Sequence, residues 1–152
     1  MISKNLDTLK SQSMDFEGSE EDLKTIVTNL EYELKQCPDA LGLSAIQVGI
    51  PERVAIVRVN HKIKFHGEVK EITKSYNLYN AKITKKSNPF VFKEEGCLSF
   101  PGKVYDTDRF NEIEVLNGDG EELKFSGFVA VVVQHELDHW DGVVVADREN
   151  NN

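Results

Sequence analysis

Hydrophobic residues recur with helical spacing in two stretches of this chain of 152 residues. Between Ser19 and Pro38 they return every three or four positions, which predicts an amphipathic helix packed by one face. Ser19 and Asp22 at its start match a capping box with the shorter Asp in place of Glu, and Pro38 marks its end. The second stretch is residues 127–140, GFVAVVVQHELDHW.

Residues 127–140 carry conflicting signals. Val129 and the run 131–133 are β-branched, and such residues favour a strand by propensity. A helix, in contrast, would place His135 and His139 one turn apart on the same face. We predict a helix, because only helical spacing lets both imidazoles point at a single ion.

The remaining chain shows mainly strand and turn signals. Strands are predicted at residues 53–59, 76–86, 112–116, 121–126 and 143–145. The turn Asn117-Gly118-Asp119-Gly120 predicts that residues 112–116 and 121–126 form a hairpin. Residues 60–75 are polar and predict a loop or an edge hairpin, and residues 1–16 are expected to run extended over the surface.

Composition limits the class of protein. With 39% hydrophobic and 29% charged residues, the chain reads as one ordinary globular domain spanning residues 1–152. It has neither an apolar run of membrane-spanning length nor a secretory signal at its start, so we expect a cytoplasmic protein. The net charge of -8 argues against nucleic acid or anionic membrane as partners. A lysine-rich segment, residues 61–86, is the local exception, and a solvated face is the simpler explanation of it.

The two cysteines are expected to be unpaired in a reducing cytosol. Cys37 precedes Pro38 at the predicted helix end and is interpreted as a packing residue. Cys97 lies between Gly96 and Leu98 with a Pro-Gly pair close behind, so the backbone is expected to bend and expose its thiol.

The His-Glu-x-x-His pattern is the strongest chemical signal. It lets His135 and His139 bind one metal ion, with Glu136 beside the ion as a general base. Two histidines leave an ion under-coordinated, so a third ligand is needed. His61 and His66 are candidates in a polar segment, whereas Cys97 is a stronger ligand as a thiolate and is favoured.

Three blocks then resemble the peptide deformylases in order and approximate spacing. They are residues 42–47 (GLSAIQ), 95–99 (EGCLS) and 134–139 (QHELDH). The resemblance extends from about Leu6 to Asp147. It implies an α+β fold in which antiparallel β-sheets wrap around a central helix carrying the two histidines, and it implies hydrolysis of the formyl group from N-formyl-methionyl peptides.

Position by position, the resemblance also implies residue roles. Cys97, His135 and His139 would bind the metal, Glu136 would move the proton, and Gln47 with the Leu98 backbone N–H would donate to the formyl oxygen. The residues expected to bind the substrate methionine are Leu41, Gly42, Leu98, Phe128, Val131 and Val132, with plain core packing as the alternative for the apolar side chains. Arg109 matches an arginine common in the family, and a structural pairing with an acid such as Asp138 is a possible role.

The resemblance further implies one divalent metal ion, iron(II) in the native enzyme, with zinc, nickel or cobalt as substitutes. We expect a monomer, located in a bacterial cell, a virus-infected bacterium or an organelle. The family resemblance is to a short form without a C-terminal helix, so ribosome docking through such a helix is not expected. Two other functions stay open: a metallopeptidase using the same histidines, and a non-catalytic binding protein on the same fold.

Overall fold

Two three-stranded antiparallel sheets, one largely buried helix and one amphipathic helix make up most of the protein. The computed structural model describes the backbone of residues 1–152 and all side chains except that of His61. The helices are α1 (Leu6–Leu9), α2 (Glu20–Lys35) and α3 (Gly127–Trp140), with 3-10 helices at Ala45–Val48 and Val145–Arg148. The strands are β1 (Gly42–Ser44), β2 (Val54–Phe65), β3 (Glu68–Tyr79), β4 (Lys82–Gly96), β5 (Val104–Leu116) and β6 (Glu122–Ser126).

The sheet order is β1-β2-β3 in one sheet and β4-β5-β6 in the other. Helix α3 contacts β1 and β2 of the first sheet and β5 and β6 of the second. One apolar core lies between α3 and both sheets and includes the buried Trp140. A second core packs the apolar face of α2 against β1 and β2. The predicted α+β class is therefore confirmed.

Helix α3 forms despite its β-branched residues. Val131 and Val133 are almost completely buried, as are Ala130 and Trp140. Burial of apolar surface on this scale outweighs the few tenths of a kcal/mol per residue by which helix propensities differ (roughly 0.7 at most for ordinary residues). The predicted helix at 127–140 is confirmed.

Helix α2 begins as predicted. The Ser19 side chain accepts from the Asp22 N–H, and the Asp22 carboxylate accepts from the Ser19 N–H, so the capping box is complete. The helix ends at Lys35, before Pro38 is reached. Its buried residues are Ile26, Val27, Leu30 and Leu34.

The long hairpin β2–β3 resolves the choice left open for residues 60–75. Strand β2 continues past the predicted end at 59 to Phe65 and pairs along its whole length with β3. His66 and Gly67 at the tip both have positive φ, as in the two-residue turns that suit a hairpin. The predicted hairpin around Asn117–Gly120 is also confirmed, since β5 pairs with β6 there.

Three local predictions are wrong. Residues 1–16 do not run extended throughout, because Leu6–Leu9 form a helical turn whose N–H at Thr8 is capped by the Asn5 side chain. Residues 76–86 form two strands, since Asn80 adopts φ 47° between β3 and β4. Residues 143–145 do not form a strand; Val145 instead starts a 3-10 helix.

None of the helices in the described part of the chain is long and apolar enough to cross a membrane.

Candidate metal centre

A bulge in β4 sets the geometry of the segment that carries Cys97. The register with β5 shifts between Phe92 and Glu95, and Glu94 within the shift has φ 57°. Side chains alternate between the two faces of a strand, so this extra residue turns Glu95, instead of Glu94, into the interior. Cys97 follows the strand in a turn closed by the Phe100 N–H and the Cys97 carbonyl at 3.0 Å.

Helix α3 presents both histidines toward that turn. The Cys97 Sγ lies 3.5 Å from His139 Nε2, and the imidazole rings of His135 and His139 have centroids 5.0 Å apart. One ligand atom from each of Cys97, His135 and His139 lies within 4.8 Å of the others. The structure thus brings together the three residues that the sequence singled out as ligands.

This donor set fits a metal ion. Ligands placed tetrahedrally at the usual Zn–N and Zn–S distances lie about 3.5 Å apart, close to the observed sulfur-to-nitrogen distance. One thiolate and two imidazoles suit zinc, iron or cobalt and leave a fourth position for a small ligand. The competing candidate His66 lies exposed at the tip of the β2–β3 hairpin, and the side chain of His61 lies outside the described residues.

Glu95 is hydrogen-bonded to His135. Its Oε2 lies 2.7 Å from His135 Nδ1, so the other ring nitrogen, Nε2, is the one left for a metal. Arg109 donates to both Glu95 oxygens, at 2.8 and 2.6 Å, and the Thr107 hydroxyl donates at 2.7 Å. Burial by itself would raise the pKa of Glu95, but the hydrogen bonds with His135 and Arg109 lower it to about 2.

The role of Glu95 was not anticipated from sequence, although it stands in one of the three blocks. A signal did exist, because a metal-binding histidine usually holds a carboxylate or carbonyl on its second nitrogen.

The pairing of Arg109 with Asp138 was anticipated. Arg109 Nη1 donates to Asp138 Oδ2 at 2.6 Å, and the guanidinium is only 3% exposed.

The two imidazoles differ in their proton affinity. Burial, reinforced by the positive charge of His135, lowers the pKa of His139 to about 3, so this ring is neutral. Burial opposes a charge on His135 as well, but hydrogen bonds with Cys97 and Glu95 raise its pKa well above the usual range. A metal ion bound at Nε2 of His135 would displace that proton, as metal binding generally does.

Glu136 lies in a buried site next to the candidate metal ligands. Its side chain is 3% exposed, and Oε1 has no hydrogen-bond partner among the described groups. Burial raises the pKa of Glu136 to about 7, with the charge of His135 acting in the opposite direction. A carboxyl that titrates near neutral pH can both accept and return a proton.

Gln47 is held in a fixed orientation on the other side of Cys97. Its Oε1 accepts from the Ser44 N–H at 3.0 Å, so its Nε2 is directed toward Ser99 Oγ at 3.1 Å and Cys97 Sγ at 3.6 Å. The residue is 1% exposed. Ser99, also buried, was not predicted as part of the site; its position two residues after the candidate ligand Cys97 was the available signal.

A cavity of about 650 Å³ opens beside these groups. Cys97, His135, Glu136 and Gln47 lie in its wall. All six predicted substrate-binding residues line it: Leu41, Gly42, Leu98, Phe128, Val131 and Val132. Phe128 is 52% exposed, so core packing does not account for its position. Cys37, interpreted as a packing residue, is half-buried and also borders the cavity.

Comparisons with known proteins agree with this arrangement. The family model for polypeptide deformylase matches residues 2–152. Among curated relatives, peptide deformylase of Aquifex aeolicus is 32% identical over 144 residues, covering 92% of this chain and 80% of that protein. That of the Wolbachia of Brugia malayi is 30% identical over 141 residues, covering 90% and 78%.

Solved structures show the same fold. A probable peptide deformylase from Synechococcus phage S-SSM7 superposes with a TM-score of 0.79 at 32% identity, covering 97% of this chain and 98% of that one. Peptide deformylase from Thermotoga maritima gives 0.78 at 29% identity, covering 99% and 97%. The family model, the relatives and the solved structures agree. This chain therefore belongs to the polypeptide deformylase family, hydrolases that remove the N-formyl group from nascent peptides.

Proposed function

We propose that the centre formed by Cys97, His135 and His139 binds one divalent metal ion and hydrolyses the formamide of N-formyl-methionyl peptides. The convergence of these three ligands beside Glu136, in the wall of an apolar cavity, is the observation that carries the proposal. When bound, the ion would supply Lewis acidity, lowering the pKa of a coordinated water and polarising the formyl carbonyl.

Glu136 is proposed to move the proton. It takes a proton from the attacking water, whose oxygen forms the new bond to the formyl carbon. It then delivers this proton to the formamide nitrogen of the methionine as the bond between that nitrogen and the formyl carbon breaks, so that formate and a free amine leave. Support comes from its buried position, its unpartnered Oε1 and its pKa of about 7.

Gln47 and Leu98 are proposed to stabilise the negative charge that develops on the formyl oxygen. The Gln47 amide has its oxygen fixed by the Ser44 N–H, which leaves Nε2 directed toward the site. The Leu98 backbone N–H follows directly on Cys97. In an analogous oxyanion site, the loss of one such donor raises the barrier by roughly 3 to 4 kcal/mol.

The cavity is proposed to hold the methionine side chain. The lining residues Leu41, Leu98, Val131 and Val132 are apolar, and they border the wall that contains Cys97 and Glu136.

Iron(II) is the native metal we propose, because family members usually use it; zinc, nickel and cobalt suit the same ligands.

The experiment that tests this function is anaerobic purification, metal analysis and a formate-release assay on formyl-Met-Ala-Ser. We expect about one metal ion per chain and formate release, both lost together in Cys97→Ala. Glu136→Gln keeps the size of the side chain and removes the base, so it should retain the metal and lose activity roughly 10²- to 10⁴-fold.

Full activity of Glu136→Gln would refute the proton-transfer role. Cleavage of internal bonds in an unformylated peptide at a comparable rate would instead favour the metallopeptidase alternative.

A further inference from the structure

Arg148 lies at the end of a continuous chain of charged groups that leads to a candidate metal ligand. Its guanidinium donates to Asp138 through Nε at 3.1 Å and through Nη2 at 2.9 Å, one contact to each carboxylate oxygen. Asp138 also accepts from Arg109, whose other donors hold both oxygens of Glu95. Glu95 in turn binds Nδ1 of His135.

Exposure increases along this chain, from the buried Arg109 and Glu95 through the partly buried Asp138 to the exposed Arg148. Arg109 is 3% exposed, Glu95 5% and Asp138 15%, whereas Arg148 is 45% exposed. The two acids and two arginines balance in charge. If Arg148 is removed, Asp138 keeps a single cationic partner, Arg109, which it already shares with Glu95.

We propose that Arg148 is a positioning residue for the metal centre. Its bidentate contact holds Asp138 in place, and Asp138 in turn orients the Arg109 guanidinium. Arg109 fixes the plane of the Glu95 carboxylate, which orients the ring of His135. Groups that orient a metal-binding histidine typically change metal affinity about 10- to 100-fold when they are mutated. The proposal rests on the metal-binding part of the proposed function, and not on its substrate.

The same 3-10 helix offers a matched control. Lys10 donates to Asp147 at 3.2 Å, and Asp147 belongs to Val145–Arg148 but not to the chain of charges leading to His135. Lys10→Ala therefore removes an ion pair that anchors this helix while leaving the contacts of Asp138 in place. If Arg148→Ala acts only by loosening this 3-10 helix, Lys10→Ala should change metal binding in the same way.

The test uses cobalt(II) bound to the full-length protein. Affinity is measured by competition with a chelator, and the ligand-field absorption of cobalt reports the geometry at the centre. We expect Arg148→Ala to weaken cobalt binding by up to about tenfold and to alter the spectrum, with an intermediate result for Arg148→Lys, because lysine is a point charge without the guanidinium fork. Lys10→Ala should match wild type in both measurements.

A double-mutant cycle shows whether Arg148 acts through Glu95. In a Glu95→Gln background, Arg148→Ala should change cobalt affinity much less than it does in wild type. Equal cobalt affinity and spectra for Arg148→Ala and Lys10→Ala would overturn the proposal, as would an undiminished effect in the Glu95→Gln background. These readouts do not depend on formate release, so a failure of the deformylase assignment would be recognised separately.

Discussion

Gly42 lies against the carboxylate of Glu136, and this contact explains why a glycine stands there. A Cβ at position 42 would meet Glu136 Oε2 at 2.5 Å and Val132 Cγ1 at 3.0 Å. Since the backbone of β1 is held by its pairing with β2, the carboxylate must move instead. The structure thus identifies Glu136 as the group that the backbone approaches closely at Gly42.

Gly42→Ala should therefore displace Glu136 and reduce formate release on the order of 10²-fold, the effect expected when a catalytic group is misplaced by about 1 Å. Gly96→Ala is the control, because the nearest atom to its Cβ would be 3.8 Å away. Both variants are assayed on formyl-Met-Ala-Ser alongside metal analysis. Wild-type activity in Gly42→Ala would show that Glu136 tolerates the shift.

Sequence reasoning at the scale of single residues succeeded where spacing or chemistry was distinctive. The His-Glu-x-x-His spacing and the bent segment at Cys97 pointed to groups that the structure places within 4.8 Å of one another. Glu95 was missed, because its inward direction depends on the bulge at Glu94, and the strand pattern alone does not reveal a bulge. Strict alternation would have turned Glu94 inward instead.

At the scale of elements, the prediction failed mainly at junctions. The strand predicted over 76–86 breaks at Asn80, whose side chain bonds the backbone N–H and carbonyl of Phe16, each at 2.8 Å. Phe16 lies 64 positions away in sequence, so no local pattern could indicate this contact. The helices at 20–35 and 127–140 were predictable because capping residues and motif spacing are local signals.

The Asn80 junction joins the two sheets, and its stability can be tested. Asn80→Ala loses both hydrogen bonds to Phe16 and places alanine at positive φ, so we expect a loss of about 2 to 4 kcal/mol in the free energy of unfolding. Asn80→Gly loses the same hydrogen bonds without the steric penalty and should be destabilised by about 1 to 2 kcal/mol less than alanine. Urea unfolding followed by circular dichroism measures both, and equal stability of the two variants would contradict a role for the backbone conformation.

At the scale of the whole molecule, the candidate ligands come from different parts of the fold. Cys97 follows β4 in the second sheet, while His135 and His139 lie on α3, which packs on both sheets. An ion bound by all three would thus link the β4–β5 turn to the central helix. A ligand that binds only the folded state stabilises it by about 2.7 kcal/mol at a concentration of 100 times its Kd.

Cobalt(II) or nickel(II) added to metal-free protein should consequently raise Tm by roughly 5 to 11 °C, given about 2 to 4 °C per kcal/mol for a chain of this size. Cys97→Ser should lose most of that rise, because a hydroxyl is a poor ligand for these metals. Cys37→Ser is the matched control, since Cys37 borders the same cavity but is not among the three grouped ligands, and it should keep the full rise. Thermal unfolding with and without metal provides the comparison. An equal rise in the Cys97→Ser and Cys37→Ser variants would mean that metal stabilises the fold from some other site, because the sulfur of Cys97 would then make no contribution.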